Sequence, residues 1–237
     1  MTSVSVPQVP ARARVLVVGM GGLGCPVSLA LAQAGVGRLV LVDPDRVELS
    51  NLHRQPWHRD ADVGRLKVES AASKLRAAFP SLQVETHAVR VGPENVEGLL
   101  AGQDLVVDGT DGVDAKFLLN DAAVRAGVPL VHGGVVRNEG LVLAVTPGGP
   151  CLRCLFEEIP GEDALPTCAR AGVLGAAAGW VGGLQAAAAE ALLRGEPLAG
   201  VFWRVDALAG RARRLLLHKR TGCPACGPAG VEAEVSA

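Results

Sequence analysis

The sequence predicts an α/β protein: a doubly wound, mostly parallel sheet with an antiparallel C-terminal extension. Three observations predict it. Val- and Leu-rich runs at Arg14–Val18, Leu39–Val42 and Asp104–Asp108 are continuous, as strands buried on both faces require. Segments of helical length stand between the runs. After Gly140 the pattern changes, with alternation at Leu141–Val145 and a final pair of strand-like runs at 201–205 and 213–218.

Arg14–Val18 is a β-branched run closed by Gly19, and Gly22–Ala34 has helical length and composition, so the two read as strand, glycine turn and helix. Leu39–Val42 repeats the strand signature and ends on Asp43, and a helix follows over Lys67–Ala78, stopped by Pro80. Further strands are expected at Val84–Val91, Asp104–Asp108 and Pro129–Val131, with helices at Asn95–Leu100 and Ala115–Ala126 between them. A Gly/Ala-rich helix over Gly175–Leu193 precedes the last strands, Val201–Val205 and Arg213–His218.

The composition narrows the function. The 237 residues carry 23 Lys+Arg against 24 Asp+Glu, a net charge of −1, which argues against generic binding to nucleic acid or acidic membranes. Aromatics are 3% with no Tyr, so base-stacking platforms are not expected either. Hydrophobic residues make up 49%, enough for one sizeable domain with an aliphatic, alanine-packed core. The 30 glycines and 15 prolines exceed the roughly 12% average usage without a G-X-Y period and point to many tight turns. Met1–Arg14 has no apolar run, so no secretory leader is expected. Ala171–Leu184, the longest apolar stretch, is short for a membrane span and reads as a buried helix. Six cysteines without an export signal suit metal ligands or reactive thiols better than disulfides, and the expected compartment is the cytoplasm.

Gly19-Met20-Gly21-Gly22-Leu23-Gly24 fits G-x-G-x-x-G between a strand and a helix, and Asp43 follows nineteen residues beyond Gly24. Glycines there let the backbone approach phosphates, the helix start offers N–H groups to an anion, and the carboxylate can hold ribose hydroxyls. The next loop, Asp43-Pro44-Asp45-Arg46-Val47-Glu48-Leu49-Ser50-Asn51-Leu52-His53-Arg54-Gln55, does not read like a dehydrogenase. It sets an amide and a guanidinium just past a strand end, chemistry suited to a triphosphate. Lys67 adds a cation, and Asp111 stands at the carboxyl end of the fourth strand, where it can hold Mg²⁺.

Cys151-Leu152-Arg153-Cys154 and Cys223-Pro224-Ala225-Cys226 are two C-x-x-C knuckles able to complete one tetrahedral Cys₄ zinc site. The 68 residues between them exceed usual ribbon spacing, so redox pairs or ordinary cysteines stay open on spacing alone. Cys168, beside Arg170, is either a reactive thiol or a plain buried one. Cys25 reads as core packing, and His53, His58, His87, His132 and His218 have no ligand-like spacing.

Taken in order, Gly-x-Gly-Gly-Leu-Gly, Asp-x-Asp-x-Val-x-x-Ser-Asn-Leu-x-Arg-Gln, Lys67 and Thr110-Asp111-Gly112 resemble the ThiF/MoeB/HesA family of E1-like adenylyltransferases, from about Arg14 to Cys226. The resemblance implies a Rossmann-like sheet and ATP-dependent activation of the Gly-Gly C-terminus of a ubiquitin-like sulfur carrier, for molybdopterin, thiamine or related sulfur transfer. It implies that Asp43 binds ribose, that Asn51, Arg54 and Lys67 hold the triphosphate, with Gln55 and the motif glycines in the same site, and that Asp111 holds Mg²⁺·ATP. By the same likeness the four knuckle cysteines carry structural Zn²⁺, and Cys168 can take the activated carrier or join sulfur transfer. A homodimer and a separate sulfur donor are implied too, with no nucleic acid or membrane partner. Residues 1–13 would form a tail, 14–139 the nucleotide part, 140–227 the carrier and zinc part, and 228–237 a second tail.

One departure stands out. Family members usually carry an Arg-Tyr-x-Arg-Gln element ahead of the first strand, and here Arg12 and Arg14 run straight into it. Either the start is short, another group neutralises the phosphates, or catalysis is impaired. A nucleotide-binding scaffold or heterodimer subunit therefore stands as an alternative. An NAD-dependent dehydrogenase would leave Asn51, Arg54, Lys67 and both knuckles unused.

Overall fold

The computed structural model describes residues 9–157, 159 and 172–227. Their strands are β1 (Arg14–Val18), β2 (Arg38–Val42), β3 (Gln83–His87), β4 (Leu105–Asp108), β5 (Leu130–Val136), β6 (Glu139–Val145), β7 (Val201–Asp206) and β8 (Arg211–Leu216). All belong to one sheet in the order β3-β2-β1-β4-β5-β6-β7-β8. The pairs from β3 across to β5 are parallel, and those from β5 to β8 are antiparallel. The order runs outward from β1 to β3 and then restarts at β4 on the other side of β1. That reversal opens a crevice beyond the carboxyl ends of β1 and β4, where open α/β sheets bind ligands.

The helices are α1 (Gly24–Gln33), α2 (Lys67–Ala78), α3 (Val96–Leu100), α4 (Val113–Ala126), α5 (Leu152–Leu155) and α6 (Gly175–Leu193). Alternate strand residues feed two cores. Val15, Val17, Leu39, Leu41, Leu105 and Val107 pack with Leu31 of α1, Leu75 of α2 and Val181 of α6. Leu16, Val18, Val40, Val42 and Val106 pack with Leu99 of α3 and Leu119 of α4. Continuous apolar runs were needed because both faces of each central strand are covered. No helix among the described residues is long and apolar enough to cross a membrane; the Gly/Ala-rich run is α6, packed on α1, β5 and β6.

Three boundaries differ from expectation for physical reasons. β5 runs on to Val136 because Gly133 and Gly134 belong to the strand. A Cβ on Gly133 would strike the Gln185 side-chain amide, so glycine there is a close approach of α6 and not a strand end. β3 stops at His87, and Asn95 Oδ1 then accepts the Gly92 N–H at 3.0 Å to start the turn into α3. β8 begins two residues earlier than expected and has all six residues exposed, so no buried face marked its register.

Candidate functional site

The site is built where β1 turns into α1. Gly19 has φ +90°, and an added Cβ would stand 2.6 Å from the Gly109 carbonyl oxygen. A Cβ on Gly24 would land on the Gly19 carbonyl, so these glycines let turn, helix and the β4–α4 loop close on one another. Leu23, the N-cap of α1, makes no side-chain capping bond, which leaves the helix start open to an anion.

Asp43 follows β2 and is buried. Its Oδ2 accepts the Met20 N–H at 2.6 Å and its Oδ1 the Asp45 N–H at 2.8 Å. Burial pushes its carboxyl above the ordinary range, against the pull of Lys67 and the two N–H groups. Lys67, the first residue of α2, is itself buried and meets the exposed Asp45 carboxylate at 2.8 Å.

A 3₁₀ turn at Leu49–Asn51 brings the next loop against the glycines. Asn51 Oδ1 accepts from Gln55 Nε2 at 3.0 Å and from Arg54 Nη2 at 3.3 Å. The Gln55 amide lies 3.4 Å from where a Gly21 Cβ would sit, and the Arg54 carbonyl 3.1 Å from a Gly22 Cβ. The structure thus brings Gly19, Gly21, Gly22, Asp43, Asn51, Arg54, Gln55, Lys67 and Asp111 onto one cavity of about 1180 Å³. Gly24 is not on its wall; its part is the close packing beneath the turn.

Sequence spacing missed two buried histidines beside this cavity. His132 Nδ1 meets Asp108 Oδ2 at 2.8 Å, and Lys116 Nζ reaches the same oxygen at 3.1 Å. His58 bonds Ser70 Oγ at 2.9 Å and the Met20 carbonyl at 3.0 Å, bracing the residue whose N–H holds Asp43. Cys25 donates to the same Met20 carbonyl at 3.2 Å, and burial pushes its thiol up to about 12, so it is core and not a nucleophile.

A second cluster lies away from the cavity. The Sγ atoms of Cys151, Cys154, Cys223 and Cys226 all fall within 4.8 Å of one another. Cys151–Cys223 is 3.7 Å and Cys154–Cys226 is 3.4 Å. Four thiolates at about 2.3 Å from a tetrahedral Zn²⁺ stand about 3.8 Å apart, so the donor set fits that ion with no position left for water. Burial pushes the Cys223 thiol up, but the N–H groups of Cys226 and Ala225 and the neighbouring thiols bring it down to about 7. Helix α4 anchors the first knuckle: Asn120 Oδ1 accepts the Leu152 N–H at 2.8 Å, and Arg153 pairs with Asp121 at 2.7 Å. Cys168 and Arg170 lie outside the described residues.

Known proteins point the same way. The chain is 46% identical over 221 residues to the SAMP-activating enzyme E1 of Haloferax volcanii, covering 92% of this chain and 82% of that one. It is 44% identical over 232 residues to the sulfur carrier protein adenylyltransferase of Thermus thermophilus, covering 94% and 86%. It is 43% identical over 219 residues to the molybdopterin-synthase adenylyltransferase of Salmonella typhimurium, covering 91% and 87%. Among solved structures, E. coli MccB with succinimide shares the fold at a TM-score of 0.81 and 24% identity, over 92% of this chain and 67% of that one. The model of the ThiF family matches residues 8–225, and the chain belongs to that family.

Proposed function

We propose that the chain is an ATP-dependent adenylyltransferase that activates the C-terminal Gly-Gly carboxylate of a ubiquitin-like sulfur-carrier protein. The observation that carries this reading is the convergence of Asn51, Arg54, Lys67 and Asp111 on the cavity of the glycine turn. Hydride transfer has no use for that set, whereas a triphosphate does. The names borne by the three relatives support the same chemistry.

In this reading Asp43 holds the ribose hydroxyls, and the turn from Gly19 to Gly22 lies along the phosphates. A carboxylate oxygen of the carrier attacks the α-phosphorus, the bond to the bridging oxygen of the β-phosphate breaks, and pyrophosphate leaves behind an acyl-adenylate. No general base is needed, because the attacking carboxylate is ionised at neutral pH. Arg54, Lys67 and Asn51 face the charge that shifts onto the leaving oxygens. Asp45 is exposed, so its carboxylate can turn to water and yield Lys67 to a phosphate. Mg²⁺, held by Asp111, would supply charge neutralisation across the phosphates.

Residues 14–139 then form the nucleotide part, and 140–227 the part that meets the carrier. Cys151, Cys154, Cys223 and Cys226 hold a structural Zn²⁺ that secures the chain after β8. By the family likeness the enzyme works as a cytoplasmic homodimer supplied by a separate sulfur donor. The test is ATP–pyrophosphate exchange with Mg²⁺ and a panel of Gly-Gly-ending carriers. Carrier-dependent exchange that falls by about 10²-fold or more in Arg54→Ala is expected. Exchange unaltered in that variant overturns the site assignment, and the absence of exchange with every carrier overturns the activity.

A further inference from the structure

We propose that Lys116 and His132 are positioning residues of the adenylation site: together they lock the Asp108 carboxylate, which fixes Thr110 and so presents Asp111 to Mg²⁺·ATP. The inference rests on reading the cavity as an ATP site and goes on to say what holds its loop in place.

Asp108 is the last residue of β4 and is wholly buried. Its two oxygens have separate duties. Oδ1 accepts the Thr110 N–H at 2.9 Å and the Thr110 hydroxyl at 2.7 Å, shaping the loop that carries Asp111. Oδ2 accepts Lys116 Nζ at 3.1 Å and His132 Nδ1 at 2.8 Å. Burial works against the charged carboxylate, but the Lys116 cation and the His132 bond outweigh it and hold Asp108 ionised, well below the usual carboxylate range. An ionised carboxylate only accepts, so all four bonds run toward it and His132 Nδ1 carries the shared proton.

The loop is pinned at both ends by this one group. Gly109–Gly112 is the whole connection between β4 and α4, and Lys116 lies in the first turn of α4. Lys116 Nζ also donates to the Gly133 carbonyl at 2.5 Å, so a single ammonium ties α4, β4 and β5 together. Asp111 sits in the middle of that connection, on the cavity wall. Removing either anchor leaves Oδ2 with a single donor, which lets Asp108 turn and loosens the hold of Oδ1 on Thr110 that sets Asp111.

The experiment is calorimetric titration of ATP into the full chain, with Mg²⁺ and with EDTA. Wild type is compared with Lys116→Met, Lys116→Arg, His132→Ala and His132→Asn. Lys116→Met and His132→Ala should weaken ATP binding in Mg²⁺ by about tenfold or more, with affinity in EDTA unchanged. Lys116→Arg and His132→Asn keep a donor to Asp108 and should stay close to wild type. An equal loss with and without Mg²⁺ would mean a general structural role and overturn the proposal, as would a Mg²⁺ dependence unchanged by either removal. If Lys116→Met does not fold, the two His132 variants decide. Wild type that binds Mg²⁺·ATP but shows no pyrophosphate exchange with any carrier sinks the carrier reading alone, because the binding comparison still tests the positioning pair.

Discussion

The central strands of the sheet and its β8 edge are stabilised differently. In β4 every residue is buried, and in β1 and β2 all but the first, whereas all six residues of β8 are exposed. The central parallel strands β2, β1 and β4 are held by apolar burial on both faces, at roughly 1.5–3 kcal/mol for each large side chain fully removed from water. The antiparallel end has its ladder to β7 and then the knuckle cysteines, of which Cys223 and Cys226 join the core beneath α4. The centre is therefore specified by many small contributions, and the β8 edge by its ladder together with four thiols placed to hold one metal ion. The cavity follows the same division, because it stands beyond the carboxyl ends of the buried parallel strands β1, β2 and β4.

The largest break in that comparison should come from the metal. Structural Zn²⁺ in Cys₄-type sites contributes on the order of 10 kcal/mol, so Cys223→Ser should lose bound zinc and expose the chain after β8 to limited proteolysis. ATP affinity should survive, since no knuckle residue lines the cavity except through Leu152. Unchanged protease resistance in a metal-free variant would show that the ladder suffices.

Single side chains give the next contrast. Leu41→Ala, in the fully buried part of β2, should cost about 2–5 kcal/mol in chemical denaturation. Leu216→Ala in β8, 58% exposed, should cost about 0.5 kcal/mol or less. Similar losses at the two positions would contradict the division.

Acid gives the most specific effect. Burial pushes Asp62 up, but Lys74 and the Arg59 N–H overcome it and hold the carboxyl at about 2. A depressed carboxylate stabilises the fold above its unfolded value near 4 and loses that stabilisation as pH falls toward 2. Asp62→Asn should therefore remove about 2 kcal/mol at neutral pH and flatten the stability profile between pH 4 and 2. A profile that keeps its full slope there would assign the acid sensitivity elsewhere.

The same contrast explains what could be read in advance. β1, β2 and β4 were legible because two-sided burial writes itself as unbroken Val/Leu runs. β8 was legible only roughly, since an exposed strand carries no period that a neighbour enforces. That the glycine turn, Asp43, Asn51 and Arg54 would meet at one cavity was legible because each stands at or just past a strand end, and Lys67 joined them as the first residue of a helix. His132 and Lys116 were not, because their meeting on Asp108 depends on β4 and β5 pairing, and no spacing along the chain encodes it. The cysteine pairs were legible as pairs, while their joining needed the fold to bring the end of β6 and the end of β8 to one side of α4.

With a metal on its four thiols, the cluster also acts when the C-terminal strands detach while the site stays closed. Cys154 and Cys223 become the ends of a closed loop with 68 residues between them, and that loop contains α6, β7 and β8. In that partly open state a cross-link of that span removes about 4 kcal/mol of chain entropy from the detached segment by the loop-closure relation. The weakest strands of the sheet are thus tethered near β6 even when detached, so their return is a short-range search and not an encounter between distant segments.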